Sequence, residues 1–134
     1  MNTDRHGLKH KQLTGEIIRV FYEVYDELGH GFLESVYQKC LGISLEETGL
    51  RVLSEVAIPV WFPGRQLGNF AADMLVENIV LLELKAVRAL DGSHQAQLLN
   101  YLRATEIEVG LLLNFGVKPE FKRLLFDNPR KRAR

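Results

Sequence analysis

One stretch constrains this chain more than any other: Ile79 to Val87, which reads IVLLELKAV. Its run of Ile, Val and Leu is the pattern of a strand buried on both faces, at the centre of a parallel or mixed sheet. Two charges interrupt it. Glu83 and Lys85 stand two residues apart, and because strand side chains alternate, they project from the same face. Withdrawing either group from water costs several kcal/mol unless it is paired or binds a metal. The chain therefore needs a sheet with a buried central strand, and a reason for polar chemistry inside it.

The flanking periodicities supply the rest of such a fold. Apolar residues at Leu13, Ile17, Val20, Phe21, Val24 and Leu28 predict a helix over Leu13–Leu28, with Thr14 as an early cap and Gly29 as its stop. After the break GHG, a second helix is expected from Leu33 to Thr48, punctuated by Gly49. Val52–Phe62 reads as a strand in which Pro59 marks an edge or a bulge. Pro63–Gly68 (PGRQLG) is turn chemistry, Asn69–Val76 a second strand, Glu77–Asn78 a tight turn and Ile79–Val87 the third strand, together an antiparallel meander. LDGS, residues 90–93, opens a helix over His94–Ala104. Gly110–Phe115 is a further apolar strand, which a crossover helix would make parallel to the third. Lys118–Phe126 supplies a last short strand or a packed tail. The expected order is α-α-β-β-β-α-β.

With 134 residues and 46% hydrophobic content, the chain suits one domain, expected over residues 13–126, between a basic flexible N-terminus (1–12) and a basic flexible tail (127–134). Formal charge balances at 17 basic against 17 acidic residues, but PRKRAR at the end is wholly basic apart from Pro129 and Ala133, leaving the core acidic. Basic ends either attract nucleic acid or simply solubilise. The single cysteine, Cys40, excludes an intrachain disulfide and sits in an apolar helical stretch where packing is its expected role. No signal segment and no membrane-spanning run is visible, so a cytoplasmic protein with no membrane partner is expected.

Asp73, within NFAADMLV, repeats the anomaly of Glu83. Counted outward from Glu77–Asn78, the two carboxylates fall at one level of a hairpin. Two neighbouring carboxylates repel and rise in pKa unless a cation sits between them. Lys85 provides one positive charge; hard oxygen ligands of this kind suit Mg²⁺ or Mn²⁺. A metal and a lysine beside it are what phosphodiester hydrolysis needs. The plainer reading is a structural Asp–Lys–Glu network. On the second helix Glu34 and Tyr37 share a face. On the third helix His94, Gln97 and Tyr101 share another, which overlooks the strand or is merely a partly exposed helix face. Tyr37 and His94 are expected to line substrate beside them.

GFLESVY, Gly31 to Tyr37, is a GxxExxY motif, and the chain resembles the family of small proteins named for it. EVYDELGHGFLESVYQ, AADMLVE, IVLLELKAV, HQAQLLNYL and GLLLNFGV follow in that family's order, covering roughly Leu13–Phe126. The family is grouped with the PD-(D/E)XK nucleases, so the resemblance implies an α/β, restriction-endonuclease-like αβββαβ core: a mixed sheet flanked by helices, with one extra N-terminal helix. It implies Asp73 and Glu83 as metal ligands, Glu34 as the helix-borne acid at the metal, and Lys85 as the lysine that positions water. Gln97 and Tyr101 match a Q-x-x-x-Y pattern that contacts substrate. Ala72 replaces the pattern's proline, and Ala71 stands where relatives often carry arginine.

The leading expectation is thus a Mg²⁺- or Mn²⁺-dependent nuclease acting on nucleic acid, DNA ahead of RNA. The alternatives are a non-catalytic nuclease-fold module binding nucleic acid or a protein, and a structural dimer subunit. A homodimer or larger assembly would use the edge near Val52–Val60, beside Trp61.

Overall fold

The amphipathic first helix, α1 (Lys11–Leu28), packs with α2 (Glu34–Glu47) on one face of a sheet, and α3 (Gly92–Ala104) covers the other. The strands are β1 (Val52–Phe62), β2 (Arg65–Val76), β3 (Val80–Lys85), β4 (Val109–Phe115) and β5 (Pro119–Leu125). This is a computed structural model describing residues 10–126. The flexible tail expected at 127–134, and all but three residues of the flexible start expected at 1–12, lie outside the described residues.

The five strands lie side by side in sequence order. Neighbours are antiparallel except β3 and β4, which run parallel because α3 carries the chain back across the sheet. The expected mixed sheet and αβββαβ core are present as α2-β1-β2-β3-α3-β4, with α1 added before and β5 after. β3 is central, and Val80–Leu84 are all buried, as an apolar run with partners on both faces requires. One core joins Ile17, Phe21, Leu41 and Leu45 of the helices to Met74, Val76, Leu82, Leu84 and Phe115. The second joins Leu98 and Leu102 of α3 to Leu75, Leu81 and Leu112.

Some boundaries moved. Thr14 does not cap α1; it lies one turn inside, where its hydroxyl bonds back to the carbonyls of His10 and Lys11. β2 starts at Arg65, so most of PGRQLG is strand and the turn shrinks to Pro63–Gly64. β3 stops at Lys85, two residues before Val87. Gly29 does end α1, at φ 69° with its N–H on the Tyr25 carbonyl. Glu77 and Asn78 turn the hairpin in left-handed conformation, at φ 54° and 57°.

β1 and β2 form a long ribbon that changes its phase midway. Val52, Met74 and Val76 pack toward α1 and α2, whereas Val56, Ile58, Val60 and Ala72 pack toward α3. All these positions are even-numbered, so strict alternation would keep them on one face. The inversion falls between Ser54 and Val56 on β1 and between Ala72 and Met74 on β2, that is, at Glu55 and Asp73. Glu55 has a left-handed backbone, φ 55°, uncommon for a residue other than glycine. The outer ribbon has turned over with respect to the sheet, and Asp73 stands at the corner.

Beyond β3 the chain is locked against β4. Asn114, fully buried, accepts from the Val87 N–H at 2.9 Å and donates to the Val87 carbonyl at 2.9 Å. A Cβ on Gly116 would lie 2.0 Å from that carbonyl oxygen. Gly116→Ala is therefore expected to destabilise the fold by about 1–3 kcal/mol, because backbone must move to admit one methyl group. Urea unfolding measures it; an unchanged midpoint would mean that the loop is loose.

Candidate active site

The site lies where β2 and β3 part. Their ladder pairs Val76 with Val80, Leu75 with Leu81 and Met74 with Leu82, then ends. At the next position carboxylates replace the backbone partners. Asp73 N–H donates to Glu83 Oε1 at 2.9 Å, and Leu84 N–H donates to Asp73 Oδ2 at 2.7 Å. Each acid thus satisfies an amide on the opposite strand, which is how a central strand keeps its hydrogen bonds while opening a fork. Asp73 Oδ1 and Glu83 Oε2 take no hydrogen bond from the described residues.

Both acids titrate high. Burial raises the Asp73 carboxyl, the Leu84 N–H opposes it, and the nearby charges of Glu34 and Glu55 push upward again. Glu83 is only 4% exposed; burial first, then the charge of Asp73, lifts it to about 7.

Lys85 emerges from the same face of β3 toward α3, and its Nζ lies 3.3 Å from Gln97 Oε1. The Gln97 amide donates onward to the Tyr101 hydroxyl at 3.2 Å. The helix face read from the sequence therefore does overlook Lys85, and Gln97 and Tyr101 form a short chain behind it. From α2, Glu34 accepts from the Ala86 N–H at 3.2 Å, at the end of β3. Glu34 is near enough to raise both acids, without a hydrogen bond to either.

Two residues expected at the substrate are placed otherwise. Tyr37 is fully buried and stacks on Phe115 at 4.3 Å. Its hydroxyl donates to the Gly29 carbonyl and accepts from Phe32 N–H, so it braces the GHG break. His94 closes a capping box at the start of α3: Asp91 accepts from its N–H while His94 Nδ1 accepts from the Asp91 N–H.

Two others join the site unforeseen. Ser54 pairs with Met74 and Val56 with Ala72, so Glu55 faces Asp73 across the ribbon. Gln38, one turn after Glu34, donates both to Glu55 Oε2 at 2.9 Å and to the Asp73 carbonyl at 3.0 Å. A count outward from the Pro63–Gly64 turn misses Glu55. Phe62 pairs with Arg65, which would set Glu55 opposite Ala72, but the register slips by one between Ile58 and Val60. The slip comes from an extra residue on β2 opposite Pro59, where the sequence allows an edge or a bulge, and it moves Glu55 into line.

Three further carboxylates, Glu34, Glu55 and Glu83, and the ammonium of Lys85 thus gather about Asp73. No three His, Cys, Asp or Glu side chains among the described residues converge closely enough to enclose an ion. Asp73 and Glu83 do converge, each with an oxygen to spare. That suffices for a cation such as Mg²⁺, which is commonly held by one or two carboxylates plus water and substrate phosphate.

The sequence profile of the PD-(D/E)XK nuclease superfamily matches residues 11–124. The chain belongs to this superfamily. The crystal structure of SSO0001 is similar in fold to this chain: TM-score 0.54 at 17% identity, over 72% of this chain and 51% of that one. At that identity the likeness concerns fold alone, and the chain spans about half the length of SSO0001. No curated protein matches the chain. Nucleases of the PD-(D/E)XK superfamily generally use divalent metals and act on nucleic acid, in keeping with the acidic fork. No helix among the described residues is long and apolar enough to cross a membrane.

Proposed function

We propose that the chain is a divalent-metal-dependent nuclease of the GxxExxY branch, hydrolysing phosphodiester bonds in nucleic acid, with DNA the expected substrate ahead of RNA. One observation carries this reading. Glu83, buried, and Asp73, half-buried, repel each other in the β2–β3 fork, each with one oxygen that takes no hydrogen bond from the described residues, beside Lys85.

Asp73 Oδ1 and Glu83 Oε2 would hold Mg²⁺ or Mn²⁺, with Glu34 the third acid at the rim. Such an ion supplies charge for the phosphate oxygens and acidifies the attacking water. Lys85, close enough to both acids to oppose their rise in pKa, would orient the water and offset charge building on phosphorus. Gln97 fixes the lysine, and Tyr101 fixes Gln97, so the donor is aimed before substrate arrives. Gln38 ties α2 to the Asp73 carbonyl and to Glu55.

Calorimetric titration of Mg²⁺ and Mn²⁺ tests this, with wild type against the Asp73→Asn, Glu83→Gln double variant. Binding to wild type that vanishes in the variant is expected. The titration is repeated with an uncleavable phosphorothioate oligonucleotide, since phosphate can complete the ligand set. Silence in both would favour a second reading, a nuclease-fold binding module, to which one observation lends weight: both acids already have backbone partners.

A further inference from the structure

The ribbon that turns over at Glu55–Asp73 carries the largest exposed aromatic surface near the fork. Trp61 is 65% exposed and Phe70 43% exposed, and Phe62 and Leu67 lie bare beside them. Trp61 and Phe70 form one wall of a groove of about 630 Å³; Gln97, Asn100, Tyr101 and Arg103 of α3 form the other. The volume falls within the range of about 300–1,000 Å³ typical of sites for flat organic ligands.

The groove is continuous with the candidate catalytic centre. Gln97 lines it and also receives Lys85 Nζ; Tyr101 lines it and receives the Gln97 amide. A strand whose phosphate lies at Lys85 therefore has this groove beside it. Aromatic walls accept the π-face of any base, and the Gln97 and Asn100 amides can meet base edges. Only unpaired bases offer that face, since duplex stacking covers it.

Charge argues the same way. Non-specific affinity for nucleic acid comes mainly from Lys and Arg on phosphates, but this chain has a formal net charge of zero and four acids at its fork. Contacts to the uncharged bases supply affinity without that repulsion. Arg103 adds a cation at the rim, its guanidinium 5.4 Å from the Phe126 ring.

We infer that the groove between Trp61–Phe70 and α3 binds one or two unpaired nucleobases of the substrate strand, making the protein selective for single-stranded or frayed nucleic acid. The inference rests on the nuclease reading for its substrate class but not on catalysis.

Trp61 is the only tryptophan, so its fluorescence reports this groove alone. The full chain in EDTA at low salt is titrated with a labelled oligothymidylate of about eight residues, an abasic strand of equal length, and a duplex. Anisotropy reads binding and tryptophan emission reads the groove. Expected are saturable quenching by oligothymidylate, none by the abasic strand or duplex, and affinity about tenfold lower for Phe70→Ala. Both exposed aromatics are replaceable without touching the core, and circular dichroism checks the fold.

Abasic binding as tight as oligothymidylate, binding without quenching, or no binding at all would overturn the inference. So would a Phe70→Ala change confined to sedimentation, which would make the groove an interface between two copies. Cleavage of circular DNA with Mn²⁺ tests the nuclease reading separately, so either idea can fail alone.

Discussion

Lys85→Ala is expected to slow cleavage by about 10²–10⁴-fold, the range associated with losing a positioned proton-transfer or charge-stabilising group. The side chain is half-buried and, among the described residues, hydrogen-bonds to Gln97 alone, so the variant should fold. Asp73 and Glu83 are untouched by the change, and metal binding should persist or strengthen as a competing positive charge leaves. Initial rates with Mn²⁺ on a nucleic-acid substrate, beside a calorimetric titration, separate these effects. Lys85→Arg should not restore the rate, because a planar guanidinium cannot reproduce a compact ammonium held on one amide oxygen. Cleavage at the wild-type rate by either variant would remove Lys85 from the mechanism.

Glu83→Gln should have two opposite effects: loss of metal-dependent cleavage and a gain in stability at alkaline pH. The glutamate titrates near 7 in the folded chain against an ordinary 4.5, because burial and Asp73 disfavour its charge. Between those values the folded state holds more protons than the unfolded one, so stability falls as pH rises. Metal-free wild type should therefore be most stable below about pH 5 and lose on the order of 2–3 kcal/mol by pH 8. Asp73, also raised, adds to the same trend. Glutamine keeps an oxygen for the Asp73 N–H without the charge, so the variant's profile should be flatter across this window. Urea unfolding in EDTA at pH 5 and pH 8 gives the difference between the two proteins. A wild type that gained stability relative to the variant on going to pH 8 would contradict the proposed electrostatics.

Much of the candidate site's layout is legible in the sequence. The apolar run around Glu83 and Lys85 required a central strand, and the short Glu77–Asn78 turn set Asp73 and Glu83 at one level, where their mutual hydrogen bonding places them. Helical spacing put Gln97 and Tyr101 on one face, and the crossover brought that face to Lys85. What was hidden depends on geometry that spacing does not encode. Glu55 reaches Asp73 only because the register slips near Pro59. Tyr37 shares a helix surface with Glu34, but its ring fills the core between α2 and Phe115. His94 falls on the helix face of Gln97 and Tyr101 by spacing, but the helix starts at Gly92. With Asp91 as the cap it becomes the third helical residue, whose ring folds back on the chain.

The exchange of amide partners at the fork has a consequence for how such a protein changes over generations. Asp73 and Glu83 act as struts between β2 and β3 as well as candidate ligands. An alanine at either place would strand a backbone N–H of the neighbouring strand, whereas Asn or Gln keeps an acceptor there. A lineage giving up catalysis therefore has an open route through amides and a steep one through small apolar residues. Retired descendants of this fold should still carry the shape of the acids they have lost.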